Sequence, residues 1–515
     1  MTSMDGVFML GVRAETHASA GIASDGGDND KHSEARRRAA ASALLGENLT
    51  RKKDGSMSQV DLDLLRAAAA YGGEWIAYQQ ERRDVPGVVV AVWGGDHLLL
   101  SQGYGYADLE GQEPMTPAHI FRIASHSKTF TATAVMQLVE RGRLRLDDRI
   151  ATFVPWLQGL ADLDAVTVRQ ALNHTSGIVR DGHDADYWQL ESGFPDQDGV
   201  RRLVEEGGRV LATNEAFKYS NIAYALLGLV IEAAAGLPYN DVVRQQIIGP
   251  LGLRDTGPET DAHARERLVT GYTQRRLGLA RRPIPDVPTA ALSPATGFYS
   301  TAKDLCRYAA AHFLGNQTLL SDAAKREMQQ PSYTITQSDD RYGLGLSSVE
   351  IGERRLVGHG GAFPGHSTRT LFDPKEGIAV VVLTNETRGP AATLAAGLWR
   401  IIDFALRQPS GSGQRTPALE QFTGRFVNLW GVLDVVAFGD TLIALAPDDE
   451  DPGKTATRLV VLDDTTLRIT TTSGYGAPGE TVRYVRDATG RVEKIISGGL
   501  SSYPLDLYRQ REPSG

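Results

Sequence analysis

The sequence predicts an α+β protein, in which helices and a helical lobe flank an antiparallel sheet, followed by a C-terminal antiparallel β-barrel. Strand-like runs stand at both ends of a long stretch of helical pattern, which is the element order of an α+β domain. A meander of about eight short apolar runs with polar turns then predicts a small barrel or sandwich, of which the barrel is preferred. A chain of 515 residues is also too long for one ordinary domain.

Changes in composition divide the chain into four segments. We predict a flexible N-terminal extension at 1–56, a principal domain at 57–406, a linker at 407–417 and the barrel at 418–512. The extension mixes Ser, Gly, Asp and Arg without periodicity. The linker, RQPSGSGQRTP, has the Pro, Ser and Gly content of a flexible connector.

Within the principal domain, each element follows from its own pattern. Residues 60–80 have the apolar spacing of a helix, and 85–108 alternate apolar runs with Gly-rich turns, as two antiparallel strands do. A helix is predicted from about Ser125 to Arg141, and further helices through 165–330. Strands are then predicted at 342–351, 354–360, 367–373 and 377–385, before a closing amphipathic helix at 390–406.

Composition narrows the function classes. With 41% hydrophobic and 23% charged residues, the chain resembles a soluble globular protein. Its net charge of −9, without a basic stripe interleaved with aromatic residues, predicts no nucleic-acid partner. No run approaches the roughly 18 apolar residues of a membrane span, so we predict no membrane partner. The N-terminus has no recognisable signal peptide, and we expect a cytoplasmic protein.

Neither a metal nor a cofactor is predicted. Cys306 is the single cysteine and lies in a predicted helix, where we expect a buried structural thiol. The sequence contains no His-Glu-x-x-His motif and no cysteine cluster. His359 and His366 lie seven residues apart on a predicted loop, which is weak support for a zinc site.

The first chemical motif is Ser125-His126-Ser127-Lys128. A helix brings residues three apart side by side, so the Lys128 amine can approach the Ser125 hydroxyl. The motif therefore predicts a serine nucleophile that carries its own base. By itself, it also fits an N-cap serine followed by a solvated lysine.

The second motif is Tyr219-Ser220-Asn221, just before an apolar helical run. It predicts a phenol that relays protons and a carboxamide that binds a substrate amide, both on a loop. A capped helix start, with Tyr219 in the core, is the alternative.

The third motif is His359-Gly360-Gly361, where a Gly-rich segment enters a predicted strand. Glycines let a substrate approach the backbone closely. His359 offers a donor, or a positive charge at lower pH, so we expect peptide hydrolysis to fall more steeply than ester hydrolysis as the pH rises past about 7. An ordinary turn is the alternative.

In this order, the three motifs resemble those of the serine β-lactamase and penicillin-binding protein superfamily, especially its class C β-lactamase, D-aminopeptidase and esterase branch. The resemblance extends from about Val85 to about Leu406. It includes the connecting segments LNHTSGI at 172–178, PLGLRDTG at 250–257 and GFYSTAKDLCRYA at 297–309. Because a histidine stands where many β-lactamases have lysine in the third motif, we do not expect efficient β-lactam turnover.

The resemblance implies the roles of the site residues. Ser125 would be acylated, and Lys128 or Tyr219 would take its proton. The backbone N–H groups of Ser125 and Ala362 would form the oxyanion hole.

The substrate would be held by the remaining motif residues. The resemblance implies that Asn221 binds the substrate amide, that His359 binds its carboxylate or oxyanion, and that the strand after Gly360 and Gly361 receives the chain.

The resemblance also implies a transpeptidase-like fold with the site between sheet and helical lobe. The resemblance further implies a lipocalin-like C-terminal domain, which would shape the cleft or mediate the assembly of a homo-oligomer. The predicted substrate is a small peptide or ester, and a peptidase of linear peptides with D- or unusual residues is preferred. A carboxylesterase or acyltransferase, a β-lactamase and a non-catalytic penicillin-binding protein are the alternatives.

Overall fold

The computed structural model describes residues 59–160, 163–335, 340–408, 417–472 and 477–511. The predicted N-terminal extension at 1–56 lies outside the described residues, as does most of the predicted linker at 407–417. The larger domain and the barrel that follows it belong to one compact unit.

Two sets of strands account for most of the sheet structure. In the larger domain these are β1 (Gly87–Gly94), β2 (His97–Asp108), β3 (Glu113–Pro114), β4 (Phe121–Arg122), β5 (Gly271–Tyr272), β6 (Pro283–Ile284), β7 (Tyr299–Ser300), β8 (Tyr333–Thr334), β9 (Arg341–Tyr342), β10 (Ser347–Ile351), β11 (Arg354–Phe363), β12 (His366–Asp373) and β13 (Ile378–Thr384). In the barrel they are β14 (Gly424–Asn428), β15 (Gly431–Phe438), β16 (Thr441–Leu445), β17 (Thr457–Asp463), β18 (Thr466–Thr471), β19 (Thr481–Arg486), β20 (Val492–Ser497) and β21 (Leu500–Pro504).

The helices occupy the middle of the larger domain and its two ends. They are α1 (Gln59–Arg82), α2 (Ser127–Glu140), α3 (Ile150–Phe153), α4 (Val168–Leu172), α5 (Gln197–Gly207), α6 (Asn221–Ala235), α7 (Tyr239–Val243), α8 (Gly249–Leu251), α9 (Ala262–Arg265), α10 (Ala302–Ala311), α11 (Asp322–Gln329), α12 (Ala391–Leu406), α13 (Pro417–Glu420) and α14 (Leu505–Arg509).

The main sheet is antiparallel and, in the described residues, has nine strands in the order β3-β2-β1-β13-β12-β11-β10-β9-β8. Strand β1, GVVVAVWG, is apolar at nearly every position because both of its faces are covered. Val88 and Val90 pack in the core formed with α1 and α12, whereas Val89 and Ala91 pack in the core that includes α2 and α6. The sheet therefore separates two hydrophobic cores, and the residues of interest lie on the α2 side.

The C-terminal barrel is closed and has eight described strands, β14 to β21. Its interior is filled by side chains, among them Phe422, Phe426, Leu442 and Leu467. These observations confirm the predicted fold class.

The barrel packs against α1. The buried carboxylate of Asp434 on β15 accepts two hydrogen bonds from Arg425, both 2.8 Å long, and one of 3.1 Å from the Tyr71 hydroxyl. Phe438 and Ile443 of the barrel also enter the core that α1 and α12 share with the sheet. The two domains are therefore joined by a polar and an apolar contact.

In the described ranges, a single helix long and apolar enough to cross a membrane is not found. One pair bent by 76°, Asn221–Ala235 with Tyr239–Leu251, meets the length and composition criterion jointly.

Candidate active site

Ser125 lies in a 3-10 turn, Ala124–His126, that leads into α2. The α-helix itself begins at Ser127, so the helix predicted from about Ser125 starts with a short 3-10 turn. Ala124 has a φ of +47°, a left-handed conformation that costs a residue with a Cβ roughly 1–2 kcal/mol. The Ser127 hydroxyl supports the turn, because it donates to the Ala124 carbonyl at 2.5 Å and accepts from the Phe298 N–H at 3.0 Å.

The first two motifs meet at the Ser125 hydroxyl. Lys128 Nζ lies 3.3 Å from Ser125 Oγ, and the Tyr219 hydroxyl lies 2.8 Å from the same oxygen. Ser125 and Tyr219 are both half-buried, so neither residue is sealed in the core. A hydroxyl within reach of an amine and a phenol has two groups that can take its proton, which is the arrangement of an activated nucleophile.

Lys128 is buried, and hydrogen bonds hold its amine in place. Nζ donates to Asn221 Oδ1 at 2.7 Å and to the Ala295 carbonyl at 2.8 Å, besides its contact with Ser125. It also lies 4.7 Å from the centre of the Tyr219 ring. These partners orient the amine toward the nucleophile.

Asn221 is the first residue of α6 and is also buried. The hydroxyl of the preceding residue, Ser220, caps the helix by accepting from the Ala223 N–H. While the Asn221 carbonyl oxygen accepts from Lys128, its Nδ2 donates to Asp181 Oδ1 at 2.6 Å. In this structure Asn221 thus bridges Lys128 and Asp181 through the two polar atoms of its side chain.

Asp181 is a member of the site that the sequence motifs did not indicate. It is buried next to Asn221, and its other carboxylate oxygen accepts from Arg180 at 3.1 Å. It follows the segment LNHTSGI by three residues, but a single aspartate in a loop carries no periodic signal. Its role depends on the fold, which brings residue 181 next to residue 221.

We expect Asp181→Ala to lower kcat/KM by roughly ten- to a hundredfold, the range for losing a hydrogen bond to a charged group. The physical reason is that Asn221 loses its anchor and no longer fixes the Lys128 amine. Asp184→Ala, which changes an exposed aspartate three residues away, is the matched control and should leave kcat/KM unchanged. Equal effects of the two substitutions would contradict a positioning role for Asp181.

The third motif lies within β11, where its strand pairs with β12. A Cβ added to Gly361 would lie 2.1 Å from the Ile123 carbonyl oxygen, just before the nucleophile turn. Gly361 is therefore required for packing of β11 against that turn, and not only for substrate approach as predicted. A Cβ on Gly360 would meet nothing closer than 3.4 Å. Ala362 follows and is exposed.

One edge of β11 is open beside the site. The ladder between β10 and β11 ends at the pair Ser347 and Gly358. Within the described residues, no strand pairs with 359–363 on that edge. An extended peptide could add to a free strand edge of this kind through main-chain hydrogen bonds.

His359 differs from its prediction. Its Nε2 lies 3.0 Å from the Tyr342 hydroxyl and its Nδ1 lies 2.6 Å from the Gly360 carbonyl oxygen, which indicates a neutral ring with the proton on Nδ1. Burial, followed by the nearby positive charge of Lys128, holds the pKa of His359 well below its ordinary value. The predicted gain of positive charge near pH 7 is therefore wrong, whereas the pH dependence of peptide hydrolysis stays a prediction.

Four further histidines are buried and share this behaviour. Burial lowers the pKa of His126, His312 and His366 to about 3, and holds that of His174 well below its usual range. In the unfolded chain, each would titrate near pH 6.5. Below that pH the unfolded state binds more protons than the folded state, so stability is present above about 6.5 and is lost as the pH falls.

We expect each buried histidine to contribute a loss of up to about 1.4 kcal/mol in the free energy of unfolding per pH unit below about 6.5. Urea unfolding at a series of pH values measures that slope. His312→Phe should make it shallower, whereas His97→Gln, on an exposed position, should not. An unchanged slope in His312→Phe would mean that this ring protonates in the folded protein.

Aromatic side chains line the site beyond Ala362. Phe363 stacks on Phe194 with ring centres 6.0 Å apart, and its edge-to-face contact with Trp188 is 6.1 Å. Tyr187 belongs to the same group and donates its hydroxyl hydrogen to the Asp181 carbonyl at 2.8 Å. Phe363, Phe194 and Tyr187 are buried, and Trp188 is half-buried, so Trp188 is the member of this group that is accessible to solvent.

His359, His366 and Cys306 are the residues whose metal binding or reactivity the sequence analysis discussed. His359 and His366 lie on the paired strands β11 and β12, and not on a loop as predicted. Among the described residues, no group of three or more His, Cys, Asp or Glu side chains is arranged to hold a metal ion. Cys306 is buried in α10, and burial raises the pKa of its thiol, which makes it unreactive at neutral pH.

Comparison with known proteins gives consistent matches. The family model described as Beta-lactamase matches residues 73–403. Penicillin-binding protein 4* of Bacillus subtilis (strain 168) is 30% identical over 311 residues, which is 56% of this chain and 66% of that protein, just under two thirds of its length.

Two solved structures are similar in fold. D-amino acid amidase from Ochrobactrum anthropi SV3 is 28% identical, with a TM-score of 0.55 over 66% of this chain and 97% of that one. An octameric penicillin-binding protein homologue from Pyrococcus abyssi, 23% identical, has a TM-score of 0.59 over 84% and 99% of the two chains. The latter likeness concerns the fold alone.

Proposed function

This chain belongs to the Beta-lactamase family, and from that premise we propose that it is a serine hydrolase that forms an acyl-enzyme on Ser125. The observation that carries the proposal is the pair of contacts at the Ser125 hydroxyl, 3.3 Å from Lys128 Nζ and 2.8 Å from the Tyr219 hydroxyl. A serine hydroxyl is a weak nucleophile unless an adjacent base takes its proton.

In the proposed reaction, Ser125 Oγ attacks the carbonyl carbon of an amide or ester while its proton passes to Lys128 or Tyr219. The carbonyl oxygen becomes an oxyanion, which accepts hydrogen bonds from the backbone N–H groups of Ser125 and Ala362. Each such donor typically contributes about 3–4 kcal/mol in the transition state. The contact of Gly361 with the nucleophile turn supports this pairing, because it brings β11 against that turn.

The tetrahedral intermediate then collapses. The carbon–nitrogen or carbon–oxygen bond breaks, and the leaving group takes the proton that the base received from Ser125. Water then attacks the acyl carbon and gives its proton to the same base. That base returns the proton to Ser125 Oγ as the bond between Oγ and the acyl carbon breaks, which releases the acid and free Ser125. Tyr219 is suited to this shuttle because its hydroxyl already lies beside Oγ.

For the substrate, we propose a small linear peptide and cleavage of an amide bond. The open edge of β11 supports an extended chain over a simple ester, since an ester has few main-chain groups to pair there. Trp188, which is half-buried and contacts Phe363, supports a substrate with an apolar side chain. The likeness to a D-amino acid amidase supports substrates with D- or unusual residues.

One more specific candidate has the same chemistry. The overall arrangement of the sequence resembles the linearised-microcystin hydrolase, which cleaves a linear non-ribosomal peptide to a tetrapeptide. We propose linearised microcystin as the first peptide to be tested. The alternatives are a carboxylesterase or acyltransferase and a β-lactamase, while a non-catalytic penicillin-binding protein fits poorly with an activated Ser125.

The experiment compares peptide, ester and β-lactam panels by time-resolved mass spectrometry of both products and intact protein. We expect peptide cleavage, an acyl adduct that maps to Ser125, and no effect of chelators. Turnover of activated esters without turnover of any peptide would assign the esterase alternative. Activity that disappears with EDTA and returns with zinc would overturn the serine mechanism.

A further inference from the structure

The connection between β5 and β6 forms an exposed hairpin, residues 273–282, with the sequence TQRRLGLARR. Leu277 and Leu279 near its end are 92% and 64% exposed. The segment contains four arginines and no acidic residue, although the whole chain has a net charge of −9. We refer to residues 273–282 as the basic hairpin.

Two of its arginines hold the hairpin in place. Arg275 pairs with Asp84 at 3.1 Å, and Arg281 pairs with Glu386 at 2.8 Å. The other two, Arg276 and Arg282, have no carboxylate within ion-pair distance among the described residues. Their charges are therefore available to a partner.

The barrel has an apolar tip of its own. The turn between β14 and β15 consists of Leu429 and Trp430, which are 87% and 84% exposed. Leu500, at the start of β21, is 56% exposed. A hydrogen bond of 2.8 Å between Asn428 and Ser502 places these two connections side by side. We refer to Leu429, Trp430 and Leu500 as the barrel tip.

Both features border the C-terminal end of α1. Asp84, just beyond α1, binds the basic hairpin. Two residues earlier, Arg82 pairs with Asp448 of the barrel at 2.9 Å, and a Cβ on Gly431, next to Trp430, would lie 3.8 Å from that aspartate. Two connections from different domains thus present large apolar side chains at one end of the molecule.

We propose that this end of the molecule docks on the surface of a lipid bilayer that contains anionic lipid. Single exposed apolar residues are common on proteins, but two neighbouring tips with five of them are not. Tryptophan and leucine enter the boundary between headgroups and acyl chains, and unpaired arginines bind anionic headgroups. The acidic side chains at the same end, Asp448, Glu450 and Asp451, are each paired with an arginine of the larger domain, namely Arg82, Arg83 and Arg400.

We predicted no membrane partner because the sequence has no long apolar run. That argument applies only to segments that span a membrane. Peripheral docking by loop tips requires no such run. The proposal is independent of the chemistry at Ser125.

Flotation of the full chain with vesicles tests the proposal. We expect the protein to float with vesicles of phosphatidylcholine and phosphatidylglycerol, to bind phosphatidylcholine alone much less, and to dissociate as salt increases. Arg276→Glu with Arg282→Glu should reduce partitioning by at least about 25-fold, roughly five-fold for each arginine lost. Trp430→Ser, and Leu277→Ser with Leu279→Ser, should each reduce it as well.

The matched control is Leu462→Ser. Leu462 is 43% exposed on β17, near the barrel end opposite the barrel tip, and its substitution should leave partitioning unchanged. Hydrolysis of a soluble substrate should be equal in all variants, which shows that they are folded. No flotation with anionic vesicles at low salt, or equal flotation of wild type and tip variants, would overturn the proposal. Loss of self-association in the tip variants, without any lipid binding, would assign this end to contact with a second copy.

Discussion

Ser125→Ala is expected to reduce turnover of any substrate by roughly four to six orders of magnitude, as removal of a serine nucleophile does elsewhere. The substitution removes the oxygen atom that Lys128 and Tyr219 both contact. Ser125 is half-buried and contributes little to the core, so the midpoint of thermal unfolding should remain within a few degrees of wild type. Steady-state kinetics and circular dichroism on the same preparation measure both quantities.

Ser127→Ala is the matched control, because it removes a serine hydroxyl two residues away. Ser127 bonds to Ala124 and to the Phe298 N–H, so its loss should lower the free energy of unfolding by about 1–3 kcal/mol. Because Ser127 only supports the nucleophile turn, activity of the folded variant should fall far less than in Ser125→Ala. Ser125→Ala is therefore expected to affect mainly catalysis, and Ser127→Ala mainly stability. A Ser125→Ala enzyme that kept more than about a tenth of wild-type activity would show that Ser125 is not the nucleophile.

The sequence predicted those parts of the fold that depend on local pattern. Apolar runs separated by Gly-rich turns located β1 and β2, and the meander after residue 417 predicted a barrel, which the structure shows to be closed. The match of the family model to 73–403 confirms the resemblance at the level of the family. Likewise, the spacing of Ser125 and Lys128 predicted their contact, because a helical turn alone brings residues three apart together.

Features that depend on distant packing were not predicted. Asp181 has meaning only through its contact with Asn221, 40 residues later. His359 was expected to gain a charge near pH 7, but burial beside Lys128 keeps it neutral. A three-residue motif does not indicate how deeply a strand residue is buried. Gly361 was assigned to substrate approach, while the structure shows that the Ile123 carbonyl also excludes a side chain there.

The sequence also does not show whether Lys128 or Tyr219 is the general base. A double-mutant cycle addresses this question. Lys128→Met and Tyr219→Phe are each expected to lower kcat by roughly a hundredfold to ten-thousandfold, the range for loss of a general base. Because both groups contact the same oxygen, they act on the same proton, and the double variant should lose little more than the worse single variant. Losses that multiply would instead mean that the two groups serve separate steps.

Two controls are needed for the double-mutant cycle, namely a correction for stability and a substitution of a second tyrosine. Lys128→Met leaves Asn221 Oδ1 and the Ala295 carbonyl without their donor, at a cost of about 1–3 kcal/mol, so kcat must be referred to the folded fraction. Tyr342→Phe removes a buried hydroxyl that bonds to His359, and it should reduce kcat much less than Tyr219→Phe. If Tyr219 activates the deacylating water, Tyr219→Phe should accumulate acyl-enzyme on Ser125, visible as a mass adduct during turnover. If neither Lys128→Met nor Tyr219→Phe reduced kcat below about a tenth of wild type, both assignments would fail, since loss of a true general base costs more than that.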